Sequence, residues 1–272
     1  MPKAVKKAPD GLRPYLFYGL TLEWENGDDE ASGECPSCGT EDKFSINVET
    51  GEYNCYYCGF KGNATTFLRW LWDYGDKQTT DYTGLSQNRG VLPETLMQWG
   101  VVYHSCWLVP GYNEKGKLVQ LYKYTKKGDR KILMATPTIG HGMFGVPLYD
   151  SNKSEVYLCE GPWDAMQWWE AGRQLKQADD GSLKRTANPK ASVLADASVL
   201  GVPGATTFFE HWLSLFAGKR VHIMFDNDHP HKNPKTGVRV KGAGATGTKR
   251  VAKMLTWADK PPESIDYIVW SN

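Results

Sequence analysis

Long apolar runs are missing from this sequence. The longest uncharged apolar stretches, Val199 to Phe209 and Val221 to Phe225 among them, fall far short of the roughly 20 residues that cross a bilayer as a helix. The N-terminal segment MPKAVKKAPDGLRP is basic but has no apolar core, so the expectation is a cytoplasmic protein without a secretory signal. Excess charge is missing too. Thirty-two basic against 31 acidic side chains leave +1, which excludes a globally basic protein of the histone type. A P-loop is also lacking: Gly242 to Lys249 half-imitates one, but Thr248-Lys249 stands where Lys-Ser or Lys-Thr is required, so no helicase motor is expected in the chain. Gly242-Ala-Gly244-Ala-Thr-Gly247 satisfies G-x-G-x-x-G, yet it follows a basic loop rather than a core strand, which argues against a dinucleotide site. The composition that is present, 40% hydrophobic and 23% charged over 272 residues, excludes disorder, collagen and a coiled-coil rod. At about 100–200 residues per domain, that length allows one large domain or two modest ones.

Four of the six cysteines stand in two pairs, Cys35-Pro-Ser-Cys38 and Cys55-Tyr-Tyr-Cys58, with residues 39 to 54 between them. This is the spacing of a C-x2-C…C-x2-C zinc site. Each tight turn supplies two thiolates to a tetrahedral ion, and Gly39 and Gly59 follow the second cysteine of each pair as such knuckles require. A pair of disulfides is disfavoured by the symmetry and by the missing secretory signal. Cys106 and Cys159 lie alone among apolar residues and read as buried thiols. Between the pairs, Lys43 to Glu49 alternates apolar and polar residues and Thr50-Gly51-Glu52 turns the chain, predicting a metal-bearing hairpin, a zinc ribbon. The aromatic residues Tyr53, Tyr56 and Tyr57 interleave with the second pair and are the candidates to stay exposed and stack on bases.

Asn63 is a candidate cap for a helix over Ala64 to Tyr74, and residues 75–90 are polar and glycine-containing, a linker composition. A short helix from Pro93 to Gln98 and strands at 101–103, 107–109 and 118–124 come next. From Glu114 to Lys131 seven basic residues face two acids; this reads either as a polyanion-binding patch or as a solvated hairpin. The remainder alternates strand and helix: strands at 155–159, 198–202, 220–225 and 265–270, helices at 164–171, 208–216 and 246–257. That order predicts an α/β unit with a mainly parallel sheet, whose sites sit at the carboxyl ends of the strands. Residues 174–196 are expected to be a mobile inserted loop.

Acids fall at those strand ends. Glu160 follows the first strand, Asp164 lies four residues on, and Asp226 and Asp228 follow the third. As single residues they read equally as helix caps and loop acids. As a group of like charges they point to a hard divalent cation.

EGPWDA at 160–165 with FDND at 225–228 resembles the two signature motifs of the TOPRIM domain of bacterial-type primases and topoisomerases. CPSCG…YNCYYCGFKGNATTFL resembles the zinc-binding domain of bacteriophage primase-helicases, and GKLVQLYKYTKKGDRKILM with Met143-Phe-Gly145 resembles their basic subdomain. The resemblance implies an α/β TOPRIM-containing RNA polymerase domain with a small N-terminal β zinc ribbon. It divides the chain into ribbon and helix at 15–74, linker at 75–90, basic subdomain at 91–150 and TOPRIM at 151–272. It further implies a DNA primase, a nucleotidyltransferase making RNA primers on single-stranded DNA from ribonucleoside triphosphates. Cys35, Cys38, Cys55 and Cys58 would hold structural zinc. Glu160, Asp226 and Asp228, with Asp164 as the second acid of the first motif, would hold catalytic Mg²⁺ or Mn²⁺. Lys123 and Lys131, with Lys126, Lys127 and Arg130 close by, would meet nucleotide or template, and a replicative helicase would be the partner.

Two departures stand out. HPHKNPKTGVRVKGAGA after Asp228 carries Lys232, Lys235, Arg239 and Lys241, a candidate strand-binding arm, with His229 and His231 read as surface histidines. The chain also stops soon after Asp266, where some TOPRIM proteins carry a further acid, as expected of a truncated piece or of a stand-alone primase. A TOPRIM nuclease and a non-catalytic nucleic-acid-binding module remain alternatives. A topoisomerase would need a nucleophilic tyrosine in a separate domain.

Overall fold

The computed structural model describes residues 7–75, 80–124, 132–134, 140–177, 183–188, 190, 192–226, 231–232, 239–240 and 242–267. The chain divides into two compact units. The first comprises Met1–Gln78, Val102–Val109 and Val119–Gly140; the second comprises Thr79–Val101, Pro110–Leu118 and His141–Asn272. No helix among the described residues is long and apolar enough to cross a membrane.

The first unit opens with α1 (Arg13–Phe17) and a five-stranded antiparallel sheet in the order β1 (Leu22–Glu23), β2 (Glu30–Gly33), β3 (Phe44–Asn47), β4 (Tyr53–Cys55), β5 (Lys61–Gly62). The hairpin expected at 43–55 is therefore the centre of a larger sheet. α1, β1 and β2 carry no clear period and leave no mark in the sequence. The β3–β4 turn closes because Asn47 Oδ1 accepts the Glu49 and Thr50 N–H groups and Gly51 takes a left-handed φ of 70°. Helix α2 (Ala64–Tyr74) starts where predicted. Asn63 Oδ1 accepts from Thr65 and Thr66 N–H at 3.1 Å, and the Thr66 hydroxyl accepts from Asn63 N–H at 2.7 Å, a reciprocal cap. Phe67, Leu68 and Leu71 of α2 are buried with Tyr15, Phe44 and Tyr53, and Tyr15 and Phe67 meet ring to ring at 4.9 Å.

Two short helices follow, α3 (Thr83–Arg89) and α4 (Pro93–Gln98). α3 lies inside the stretch read as linker. Leu85 and Tyr82 are buried there, the Tyr82 hydroxyl donates to Val101 O, and Gly90 ends the helix at φ 62°. A second antiparallel sheet has the order β6 (Val102–His104), β7 (Cys106–Tyr112), β8 (Leu118–Tyr124), β9 (Ile132–Leu133). Cys106 is half-buried rather than buried, whereas Cys159 is fully enclosed, because Cys106 sits beside the tight β6–β7 turn at Ser105, where φ is 56°.

The core of the second unit is a four-stranded parallel sheet in the order β13 (Ala197–Gly201), β10 (Glu155–Cys159), β14 (Arg220–Met224), β17 (Ser264–Tyr267). Helix α5 (Pro162–Ala171) connects on from β10 and α7 (Ala243–Thr256) lies between β14 and β17. β10 and β13 are almost wholly buried, which is why they read as unbroken apolar runs. Residues 210–216 wind as a 3-10 helix, within the span 208–216 where a helix was expected. The segment read as a loop pairs as an antiparallel hairpin, β11 (Arg173–Gln177) with β12 (Leu183–Ala187), and is followed by α6 (Ser192–Ala195). Backbone pairing in so polar a hairpin leaves no hydrophobic alternation to detect. A second hairpin pairs β15 (His231–Lys232) with β16 (Arg239–Val240).

Candidate active site and zinc centre

The two cysteine knuckles are built alike. Cys35 N–H bonds Thr40 O and Gly39 N–H bonds Cys35 O; Cys55 N–H bonds Phe60 O and Gly59 N–H bonds Cys55 O. Gly39 and Gly59 have φ of 72° and 75°, a conformation glycine adopts without penalty. The turns face each other and bring all four sulfurs within 4.8 Å of one another, all of them free thiols. Sγ of Cys35 lies 3.8 Å from that of Cys58, and Cys38 lies 3.9 Å from Cys55. A tetrahedral zinc with bonds of about 2.3 Å has sulfur–sulfur edges of about 3.8 Å, so the donor set fits zinc. The Thr40 hydroxyl, then its backbone N–H, holds the Cys38 thiol down to about 6, while burial pushes Cys35 up to about 12.

Tyr53, expected to be exposed, is 4% exposed, whereas Tyr56 and Tyr57 are each 73% exposed. Tyr53 lies in β4 on the inner side of the sheet, its ring 4.7 Å from Phe60 and 5.9 Å from Tyr15. Tyr56 and Tyr57 sit in the knuckle itself, where no layer covers them.

In the parallel sheet the chain runs from β10 outward to β13 and then crosses to β14 on β10's other side. The strand order therefore reverses between β10 and β14, and in such sheets the crevice beyond the strand ends at that reversal is the binding position. Glu160 leaves β10 there, and Asp226 stands two residues beyond β14. They meet: Glu160 Oε2 accepts the Asp226 backbone N–H at 3.1 Å. Asp164 is in the first turn of α5. Asp164 is exposed, yet its carboxyl is pushed above the usual range, first by desolvation and then by the negative charge of Asp226, with Arg89 pulling weakly the other way. Asp226 is thus close to both of the other acids, to Glu160 through its backbone N–H and to Asp164 through its charge. Among the described residues, however, only the cysteines form a group of ligand atoms within metal-binding distance. Asp228 lies outside the described residues.

Three glycines make the crevice. A Cβ on Gly244, at the start of α7, would run into the Asp226 carbonyl; one on Gly201 would lie 2.8 Å from Gly161 O; one on Gly161 would lie 3.1 Å from Asp164 Oδ2. Gly244 belongs to the G-x-G-x-x-G run, so those glycines serve close packing rather than a dinucleotide. Arg89 is a residue that no sequence motif singles out. It ends α3, its guanidinium lies 5.1 Å from the Trp163 ring centroid, and Gln167 of α5 donates to its carbonyl at 2.7 Å. An arginine just before a helix-ending glycine was the available signal.

The basic candidates are placed only in part. Lys123 is on β8 in the first unit, its Nζ donating to Phe17 O at 3.3 Å and lying 5.4 Å from the Phe17 ring centroid. Lys126, Lys127, Arg130 and Lys131 lie outside the described residues, as does His229.

Residues 30–65 match the family model described as the zinc-binding domain of primase-helicase. This is a primase-type zinc ribbon. The remaining comparisons concern fold. A DnaG primase catalytic domain solved bound to single-stranded DNA matches with a TM-score of 0.50 at 9% identity, over 76% of this chain and 74% of that one. The Aquifex aeolicus primase, zinc-binding and RNA polymerase domains, aligns over 99% of this chain and 81% of its own at 12% identity and a TM-score of 0.47. The primase fragment of the bacteriophage T7 primase-helicase aligns over 92% and 90% at 16% identity and a TM-score of 0.41. No curated protein sequence matches significantly. The chain thus carries its primase-type ribbon ahead of an α/β core with the fold of a primase catalytic domain.

Proposed function

We propose that the chain is a DNA primase that synthesises short RNA primers on single-stranded DNA from ribonucleoside triphosphates. The observation that carries this reading is a primase-type zinc ribbon in one chain with a carboxylate pair at the switch point of a parallel sheet. The ribbon presents Tyr56 and Tyr57 to solvent, and aromatic faces stack on unpaired bases. It is the reader of the template. Lys123, with Lys126, Lys127, Arg130 and Lys131, meets phosphates of nucleotide or template; the Phe17 contacts fix the Lys123 stem.

Glu160, Asp226 and Asp228 hold Mg²⁺ or Mn²⁺, with Asp164 beside them. Burial first, and then the like charge of Asp226, raises the Asp164 carboxyl, and the like-charge part is what a divalent cation relieves. When bound, the metal lowers the pKa of the primer 3′-hydroxyl and offsets charge on the leaving pyrophosphate. A bond forms from the 3′-oxygen to the α-phosphorus, the bond to the pyrophosphate oxygen breaks, and the hydroxyl proton passes to solvent. The carboxylates act as ligands and not as proton carriers. Glu160 also has a second role, since by accepting the Asp226 N–H it fixes the backbone that presents Asp226. The residues 15–74, 91–150 and 151–272 then divide the work into reading, holding and joining, and a replicative helicase is the proposed partner.

The test is incubation of the full chain with single-stranded DNA, labelled ribonucleotides and Mg²⁺ or Mn²⁺. Labelled oligoribonucleotides are the expected product. DNA fragments with no RNA product would instead make the same acids those of a nuclease.

A further inference from the structure

The five-stranded sheet of the ribbon carries its buried residues on one face. Register sets Ala31 beside Ile46, Ile46 beside Tyr53 and Phe44 beside Cys55, and all five are buried. The alternate residues point the other way, and the same register aligns them: Ser32 opposite Ser45, Ser45 opposite Asn54, Asn54 opposite Lys61. A single polar row therefore crosses β2 to β5, and Glu23 opposite Ser32 extends it onto β1. A groove of about 630 Å³ lies here, with Ser45, Asn54, Lys61, Glu30 and Tyr56 in its lining. Tyr56 stands one residue past the end of β4 and is 73% exposed.

A face in water has to be polar, but these are not the residues a sheet needs for its own stability. β-Branched and aromatic side chains suit a half-exposed strand, and asparagine is depleted there. Asn54 nevertheless occupies the middle of β4, a strand paired on both sides. Among the described residues none hydrogen-bonds its carboxamide or the Ser45 hydroxyl, whereas the Asn47 side chain is taken up by the β3–β4 turn. The groove thus offers a free hydroxyl, a free amide with both donor and acceptor, an exposed ammonium and an exposed phenol ring. Single-stranded nucleic acid matches each of them: base edges pair with amides and hydroxyls, base faces stack on aromatic rings, and phosphates meet cations. Charge also gives the row a direction, with Lys61 at one end and Glu23 at the other.

We propose that Asn54 and Ser45 read base edges of the template at the start site, with Lys61 on an adjoining phosphate and Tyr56 stacked on a neighbouring base. The inference rests on the ribbon being the reader of the template and assigns the reading to individual side chains. From Ser32 to Lys61 the row crosses three inter-strand spacings, about 14 Å at about 4.8 Å each. That is the length of about four nucleotides stacked at about 3.4 Å, so base preference is confined to about four consecutive template positions at most.

The experiment supplies the full zinc-loaded chain with ribonucleotides, Mg²⁺ and a pool of single-stranded DNA templates carrying a randomised stretch. Sequencing the primers gives the base preference at each template position for wild type, Asn54→Thr, Ser45→Ala and Lys61→Ala; bound zinc, melting temperature and DNA affinity across a salt series are measured on the same proteins. Asn54→Thr places a better strand former in β4, so it should keep its zinc and melt no lower than wild type. Its preference at one position should fall about tenfold, the discrimination of a two-bond base contact. Ser45→Ala should weaken preference at an adjacent position. Lys61→Ala should leave preference intact, weaken binding to all sequences alike and lower the slope of log affinity against log salt by about 0.7. Wild-type preference in both Asn54→Thr and Ser45→Ala would overturn the proposal. So would a loss of preference seen only where zinc is lost as well, the result of a purely structural role. Wild type that primes without any base preference would overturn the ribbon as reader and this inference with it, and wild type that makes no primers would overturn the primase reading. Wild type with a clear preference that the variants share would overturn the row alone.

Discussion

At Asp164 electrostatics and solvent access oppose each other: desolvation and the neighbouring Asp226 disfavour its ionised form, while the residue as a whole remains exposed. A folded-state pKa above the unfolded value contributes to stability below the ordinary carboxylate range and loses that contribution as pH rises through the raised value. Asp164→Asn is therefore expected to raise the melting temperature of the metal-free protein at pH 7 and to leave it unchanged near pH 3. The gain stays below about 1 kcal/mol, because solvent screens the pair, or no more than about 3 °C. Calorimetry at the two pH values checks this, and added Mg²⁺ should shrink the gain. Residue types and strand-end positions made Glu160, Asp164 and Asp226 legible in the sequence. Tyr53 was not, since three tyrosines within five positions look alike until the sheet decides which of them faces inward.

Three elements hold the candidate sites in shape: the cysteine knuckles, the start of α2 and the start of α7. The knuckles close around one metal, so about one zinc per chain should survive dialysis, and Cys35→Ser should release it and unfold the ribbon. Metal analysis with circular dichroism of the full chain would show both effects. Asn63→Ala removes two bonds from the start of α2 and should cost about 1 kcal/mol in denaturant melts. Gly244→Ala forces the start of α7 away from Asp226 and should cost about 1–3 kcal/mol, with weaker Mn²⁺ binding as the sign that the crevice has moved. The buried parallel strands and the capped helix α2 were readable because burial on both faces and side-chain caps leave sequence marks. The β11–β12 and β15–β16 hairpins, the helix α3 and the short strands β1 and β2 were not. Backbone hydrogen bonds hold them together, and those are blind to side-chain identity.

The whole molecule joins a primase-type zinc ribbon and a parallel-sheet core through a chain that passes between its two units more than once. Order along the sequence, cysteine knuckles first and strand-end acids later, made that architecture legible despite only 9% identity to the solved catalytic domain whose fold it shares. In the proposed primase the carboxylates at the β10 and β14 ends serve nucleotide joining while other parts hold the DNA. The most direct measurement compares primer synthesis and single-stranded DNA binding by wild type, Glu160→Gln and Asp226→Asn in Mg²⁺. Both variants keep the shape of the side chain and remove a charge, so synthesis should fall at least about a hundredfold, on the order of 3 kcal/mol of transition-state stabilisation, with DNA affinity within about twofold of wild type. Wild-type synthesis by both variants would contradict the account.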